Sequence, residues 1–381
     1  MKIGVPKEIY AGETRVALVP TSISKLKEKG HEVIVQTGAG ADSVIKDEQY
    51  EKAGASIVGS ATDVFERADV IFKVQPPDVN PETGSHEVEM IQKDGIYIGY
   101  MAPFKDPDNV SKLAKRGVTT FAMEFIPRTT LAQSMDSLSS MATLAGYKAV
   151  MMAADNLKRI FPMMTTAAGS IAPATVVVLG AGVAGLQAIA TAKRLGAKVE
   201  AFDPRAEVKE QIESVGGKFI PMEIVEEVQT AGGYAKEQSE DFLRREQEAI
   251  AGRLSRADVV ITTAQIFGKA APVLITEEMV KMMPQGAIIV DLAAEGGGNC
   301  ELTVADEVVT RHDVSIYGET NLPAKLPTNA SQMYSKNITT LFLHLYSDPE
   351  GTLNFEDEIT NGACVAANGE IRNELIKGLV K

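Results

Sequence analysis

The run TVVVLGAGVAGLQAIATAKRLGAKVEAFD, residues 175–203, constrains this chain more than any other. Apolar and β-branched residues lead into Gly180 and read as a buried strand. LQAIATAKRLGA has helical periodicity and stops at Gly196, after which KVEAFD reads as the next strand. A Gly-x-Gly-x-x-Gly standing alone is a weak signal. Between a strand and a helix, with a second strand ending in an acid, it has the full context of a dinucleotide fingerprint. Gly180 permits the tight turn, Gly182 lets backbone approach a pyrophosphate, and Gly185 lets the helix pack on the strand. Val183 and Ala184 carry the turn into the helix, whose first N–H groups and partial positive charge suit phosphate. The competing reading is a glycine-rich structural turn. Asp203 stands 18 residues beyond Gly185, where a carboxylate accepts hydrogen bonds from ribose hydroxyls and repels a 2′-phosphate. NAD is therefore expected over NADP. Arg205 argues the other way, since a guanidinium can pair with such a phosphate, unless it only flanks the adenine pocket.

The rest of the chain repeats the strand–helix theme. KIGVPKE, HEVIVQTGAG, ADVIFKVQPP, DGIYIGYM and GVTTFAMEF are short apolar segments separated by helical ones such as TSISKLKEKG and DNVSKLAKRG. Such alternation predicts a parallel sheet with covering helices. KFIPM, ADVVITTA, GAIIVDLA and SIYGETNLP continue the second sheet after the fingerprint. SLSSMATLAGYKAVMMAADNLKRIF, broken only by Gly146, reads as a long helix between them. The expected architecture is α/β: two Rossmann-like doubly wound parallel-sheet domains joined by a long helix. Residues 1–142 plus 327–381 form the first and residues 145–326 the second. The tail from PTNASQMYSKNITTLFLHLYSD is expected to be one amphipathic helix plus irregular structure, returning to the first domain.

Composition narrows the function classes. At roughly 150 residues per domain, 381 residues predict two domains. A net charge of -13 disfavours nucleic acid as a partner. Two cysteines, Cys300 and Cys364, give no disulfide framework and fit a reducing compartment. No apolar run is long enough to span a bilayer. A soluble, cytoplasmic protein is expected, with no metal, because no Cys/His grouping has zinc spacing.

A second polar stretch, FIPRTTLAQSMDSLSS, gathers Arg128, Gln133, Asp136 and Ser139 between an apolar strand and the long helix. Arg and Asp can form a charge-assisted pair, while Ser and Gln can recognise an amide. The spacing equally suits a helix N-cap with surface polars. None of the four histidines, His31, His86, His312 or His344, stands in a motif that marks a general base.

GVPKEIYAGETRVALVP, FKVQPP, the GAGVAG fingerprint and LITEEMVKMMPQGAIIVDLA resemble the alanine dehydrogenase and nicotinamide nucleotide transhydrogenase superfamily. RTTLAQSMDSLSSMATLAGYKAV, TAGGYAKE and EGGGNCELT resemble its transhydrogenase branch. The resemblance covers nearly the whole chain. It implies the NAD(H)-binding component, domain I, of a proton-translocating transhydrogenase of the Si/Re type. It also implies that Arg128, Asp136 and Ser139 position the nicotinamide and that Gln133 reaches toward a second nucleotide. Arg128, Gln133 and Asp136 are then the expected catalytic residues. Gly233 and Tyr234 resemble the family's mobile loop, and Gln265, after ADVVITTA, is counted with the cofactor-binding residues.

Alanine dehydrogenases use an Arg, a Lys, a His and an Asp around pyruvate. Arg15 and Lys73 match the first two, but the His position falls on Tyr100 or Met101 and the Asp position on Glu295. Alanine oxidation is therefore disfavoured. The resemblance implies NAD(H) as cofactor, held across the cleft between the two domains, and NADP(H) on an NADP(H)-binding beta subunit. A membrane-spanning subunit completes the complex. A homodimer attached peripherally to the cytoplasmic membrane, as a separate subunit with no membrane insertion of its own, is expected. The alternatives are an amino-acid dehydrogenase of the alanine type and a non-catalytic NAD(H)-binding regulatory subunit.

Overall fold

The computed structural model describes residues 1–222, 240–348 and 351–380. Strands β1 to β6 are Lys2–Val5, Glu32–Gln36, Ser56–Val58, Val70–Phe72, Ile96–Gly99 and Thr119–Ala122. Strands β7 to β11 are Met164–Thr166, Gly169–Ile171, Thr175–Leu179, Lys198–Phe202 and Lys218–Phe219. Strands β12 to β15 are Val259–Thr262, Ile288–Asp291, Val308–Arg311 and Val314–Tyr317. Cys364–Ala367 and Glu370–Ile371 are β16 and β17. The chain divides into two compact units, Met1–Met141 with Pro323–Lys381, and Ala142–Leu322.

The first unit holds a sheet of order β17-β16-β6-β5-β4-β1-β2-β3. Its six strands from β6 to β3 pair in parallel, whereas β16 and β17 are antiparallel additions. The tail thus differs from the expected helix plus irregular structure. After the helix Pro327–Leu345 it supplies two edge strands. Asn368 and Gly369, at φ 55° and 82°, make the tight turn between the paired Ala367 and Glu370. That conformation is the two-residue hairpin turn that Asn-Gly favours, and the dipeptide is the signal in the sequence for this hairpin. The tail helix is fastened to the unit by side chains accepting from backbone: Val16 N donates to Ser331 Oγ and Val19 N to Ser335 Oγ, each at 3.0 Å.

The second unit's sheet runs β11-β10-β9-β12-β13-β15-β14. All its neighbours pair in parallel except β14 with β15. Burial explains the covering on both faces. Val176 and Val178 of β9 pack with Ala188, Ile189 and Ile261 on one side. Val177 and Leu179 pack with Ile250, Val260 and Ile289 on the other. Successive strand residues point to opposite faces, so a strand apolar at every position needs helices above and below it. Strand order reverses direction at β9, between β10 and β12, which places the loop after β9 where ligands collect in open α/β sheets.

The long helix is Ser137–Asn156, shorter than its sequence suggested. Gly146 is not a break in it. A Cβ there would stand 2.1 Å from the Ala184 carbonyl oxygen, so the glycine lets this helix approach the fingerprint helix Val183–Arg194 closely. FPMMTTAAGSI, whose pattern predicts no element, forms the antiparallel pair β7–β8, exposed along both strands. Among the described residues, no helix is long and apolar enough to cross a membrane.

Candidate functional site

Each glycine of the fingerprint has its own reason. Gly180 sits at φ 95°, and a Cβ there would lie 2.5 Å from Thr263 Oγ1. A Cβ on Gly185 would lie 1.9 Å from the Gly180 carbonyl oxygen, so the helix can start against the end of β9 only as glycine. Around Gly182 none of the described residues comes within 4 Å of such an atom. Gly182 precedes the helix without a side chain to cap it, and Val183 is exposed beside it, with Ala184 half-buried. The first turn of a helix carries N–H groups with no partner inside the helix. Here they open on uncrowded space, a cradle that fits a pyrophosphate.

Asp203 follows β10 and is buried. It accepts the amide of Ala181, inside the glycine loop, at 2.7 Å on Oδ2. The carboxylate thus ties the second strand to the loop. It also accepts Arg205 through N at 3.0 Å and Nε at 2.8 Å on Oδ1, and through Nη2 at 2.8 Å on Oδ2. That side-chain hydrogen bond is the largest influence raising the Arg205 pKa, opposed by burial.

Three residues that sequence reasoning did not single out shape the neighbouring loops. Thr263 Oγ1 donates to the Gly180 carbonyl at 3.1 Å, locking the end of β12 to the glycine turn. Asn299, fully buried, accepts from Ala264 N and donates to the carbonyls of Ala264 and Pro272. Asp291, also fully buried, accepts from Thr262 Oγ1, Thr303 Oγ1, Ala293 N and Cys300 N. A polar residue ending an apolar strand was the available signal for Asp291. Asn299, in EGGGNCELT, had no local signal at all. Gln265 is exposed and donates to the Leu292 carbonyl at 2.8 Å.

In the first unit, the polar stretch forms a 3-10 turn, Leu131–Met135, leading into the long helix. Asp136 Oδ1 accepts the Ser139 amide at 2.9 Å and Oδ2 accepts Ser139 Oγ at 2.5 Å. The structure therefore brings Asp136 and Ser139 together as a helix cap. Arg128 and Gln133 lie exposed on the same stretch. Asn337, from the tail helix, donates to the Ser134 carbonyl at 2.8 Å and holds the turn in place. Gly233 and Tyr234 lie outside the described residues.

Arg15 and Lys73 are committed to the chain's own carboxylates. Arg15 donates to Glu13 through Nε at 2.7 Å and Nη2 at 2.6 Å. Lys73 Nζ donates to Glu87 Oε2 at 2.7 Å and stands 3.6 Å from Glu8 Oε2. All five side chains are buried. Met101 is fully buried, the Tyr100 ring packs 5.4 Å from that of Tyr334, and Glu295 is exposed. Among the described residues, no group of His, Cys, Asp and Glu could hold a metal ion.

Two family models match this chain: "Alanine dehydrogenase/PNT, N-terminal domain" over residues 4–145 and "Alanine dehydrogenase/PNT, C-terminal domain" over residues 149–374. The chain is 47% identical to an NAD(P) transhydrogenase subunit alpha protein of Rhodospirillum rubrum over 382 residues, 99% of each protein. It is 32% identical to the alanine dehydrogenase of Bacillus subtilis, covering 89% of this chain and 84% of that one. The solved structure of transhydrogenase from Sinorhizobium meliloti superposes with a TM-score of 0.85 at 39% identity. That match covers 98% of this chain and 100% of the other.

Proposed function

This chain belongs to the alanine dehydrogenase/PNT family, and on that premise we propose that it is the NAD(H)-binding subunit of a proton-translocating NAD(P) transhydrogenase. The observation that carries this reading is the end-to-end likeness to a transhydrogenase alpha subunit. The fingerprint geometry supports it. Gly182 and the first turn of the helix Val183–Arg194 would hold the pyrophosphate, with Asp203 at the adenosine ribose. Val183, Ala184 and Gln265 would line the same subsite. Arg128, Asp136 and Ser139 would orient the nicotinamide, and Gln133, exposed on that stretch, would face the second nucleotide.

Bound NADH would supply a hydride directly to NADP+ on the partner subunit, a transfer between two nicotinamides that calls for no acid or base. The task left to this chain is orientation and exclusion of water. A capped, half-buried Asp136 suits that task, since a side chain with fixed partners holds its direction. The partners in this reading are an NADP(H)-binding beta subunit and a membrane-spanning subunit. They would hold a homodimer of this chain at the cytoplasmic face of the membrane.

An amino-acid dehydrogenase of the alanine type is the weaker reading. Keto-acid chemistry requires a proton donor beside the substrate, and the position expected for it carries Tyr100 or a buried Met101. The deciding experiment assays the purified chain with NADH, pyruvate and ammonium, and separately with NADH and an NADP(H)-loaded partner subunit. Activity only in the second assay supports the transhydrogenase reading. Alanine formation in the first would replace it.

A further inference from the structure

Asp203 is 3% exposed, and four donors among the described residues fall on its two oxygens. Oδ2 receives the amide of Ala181 at 2.7 Å and Nη2 of Arg205 at 2.8 Å. Oδ1 receives the amide of Arg205 at 3.0 Å and its Nε at 2.8 Å. An ionised carboxylate offers about four lone-pair positions, so its acceptor capacity is used. Two of the donors are main-chain amides fixed by the glycine turn and by the chain leaving β10. The other two belong to one side chain, partly exposed and able to rotate about its own bonds. A ribose hydroxyl can therefore donate to Asp203 only by taking the place of a guanidinium N–H.

We propose that Arg205 is a specificity-determining residue of the adenosine subsite, an internal competitor that occupies Asp203 and makes a 2′-phosphate less unwelcome there. The inference rests on the dinucleotide reading of the fingerprint given above. Two physical effects act together. While the pair is closed, the carboxylate's charge is neutralised, so it repels a phosphate weakly. When it opens, the guanidinium becomes a planar fork of donors beside the ribose, suited to phosphate geometry. Ribose hydroxyls gain less than they would from an unpaired aspartate, because each bond to Asp203 replaces one already made. Both effects compress the preference for NADH over NADPH. Glu207 also attracts the guanidinium and helps to keep it near the main chain.

The test is calorimetric titration of wild type, Arg205→Ala and Arg205→Lys with NADH and NADPH. The same proteins are titrated with 5′-AMP and adenosine 2′,5′-bisphosphate, which probe the adenosine end alone. Arg205→Ala should bind NADH and 5′-AMP at least as tightly as wild type. Its affinity for NADPH and the bisphosphate should fall roughly tenfold, the size of a lost charge-assisted contact. Arg205→Lys should fall between, keeping the charge without the fork. Equal losses for both members of each pair, or an unmoved ratio, would overturn the proposal. Should Arg205→Ala fail to give a cooperative melt, Asp203→Asn provides the converse arm: it releases the guanidinium, and NADPH should gain on NADH. An unchanged ratio in that variant would also overturn it. Wild type that binds neither NADH nor 5′-AMP would remove the dinucleotide reading itself, and this inference with it. NADH binding with an unmoved ratio removes only the role of Arg205.

Discussion

Ser139 donates both its amide and its hydroxyl to Asp136, one to each carboxylate oxygen, at 2.9 and 2.5 Å. The relationship is that of a helix N-cap, and the proposed nicotinamide-orienting pair is thus also the start of the long helix. Asp136→Ala should lose both roles, with stability falling by about 1 kcal/mol and hydride transfer impaired. Asp136→Asn caps a helix almost as well but carries no charge. It should keep the thermal midpoint and still weaken NADH. Should Asp136→Asn match wild type in both nucleotide titration and reconstituted transfer, the stretch is only a cap.

Arg128→Ala should likewise loosen NADH and slow transfer. Gln133→Ala should behave differently: NADH affinity nearly unchanged, turnover with the partner subunit strongly reduced. Titration of each variant alone, then steady-state rates in the reconstituted reaction, separates the two behaviours.

The glycines of the fingerprint should separate in the same way. A methyl on Gly185 meets the Gly180 carbonyl, a backbone atom that cannot give way. Gly185→Ala should cost about 1–3 kcal/mol or more, as overpacking does. Gly182 has φ -74° and open space around it. Gly182→Ala should fold with a normal melting temperature and yet bind NADH less tightly. Normal NADH affinity in Gly182→Ala would mean that backbone does not approach a pyrophosphate there.

The buried ionic cluster predicts two opposite pH dependences. Burial pushes Glu13 up, but hydrogen bonds and charge from Arg15, with Gln75, outweigh it and hold its carboxyl at about 2 against an ordinary 4.5. A depressed carboxyl stabilises the fold above pH 4.5, and that contribution is lost as pH falls toward 2. Glu8 is pushed up to about 7 by burial, Lys73 opposing. The fold then holds a proton that the unfolded chain releases, so stability declines as pH rises from 4.5 to about 7. Each effect amounts to at most roughly 3 kcal/mol. Thermal melts across pH should show Glu13→Gln flattening the acid limb and Glu8→Gln flattening the upper one. Lys73→Ala, which strands two buried carboxylates, should cost about 3–5 kcal/mol with NADH binding intact in whatever remains folded.

A single fingerprint supplies one tight nucleotide site, so the isolated chain should bind NADH yet transfer negligibly to free NADP+ analogues. An NADP(H)-binding partner should restore fast transfer. With NADH deuterated at the transferred position, all label should appear in NADPH and none in water. Label in solvent, or full activity of the chain alone, would indicate a self-sufficient dehydrogenase.

Residues 175–203 specified their own structure because strand, turn and helix there depend on neighbours within a few positions: β-branched runs, glycine at φ 95°, and a 3.6-residue apolar period. The alternation of strands and helices likewise carried the parallel architecture. What the sequence left open was the destination of long-range partners. That the tail ends as β16 and β17 on the edge of the first sheet depends on pairing with β6, far earlier in the chain. That Asn299 braces Ala264, Asn337 holds Ser134, and Arg205 fills Asp203 follows from side chains meeting only once the chain is folded. Local preference is written in short-range spacing, whereas hydrogen-bond satisfaction of buried polar groups is decided by tertiary proximity. So the sequence alone determined where a nucleotide's phosphates belong, and only the tertiary structure decided that the aspartate beside them is already occupied.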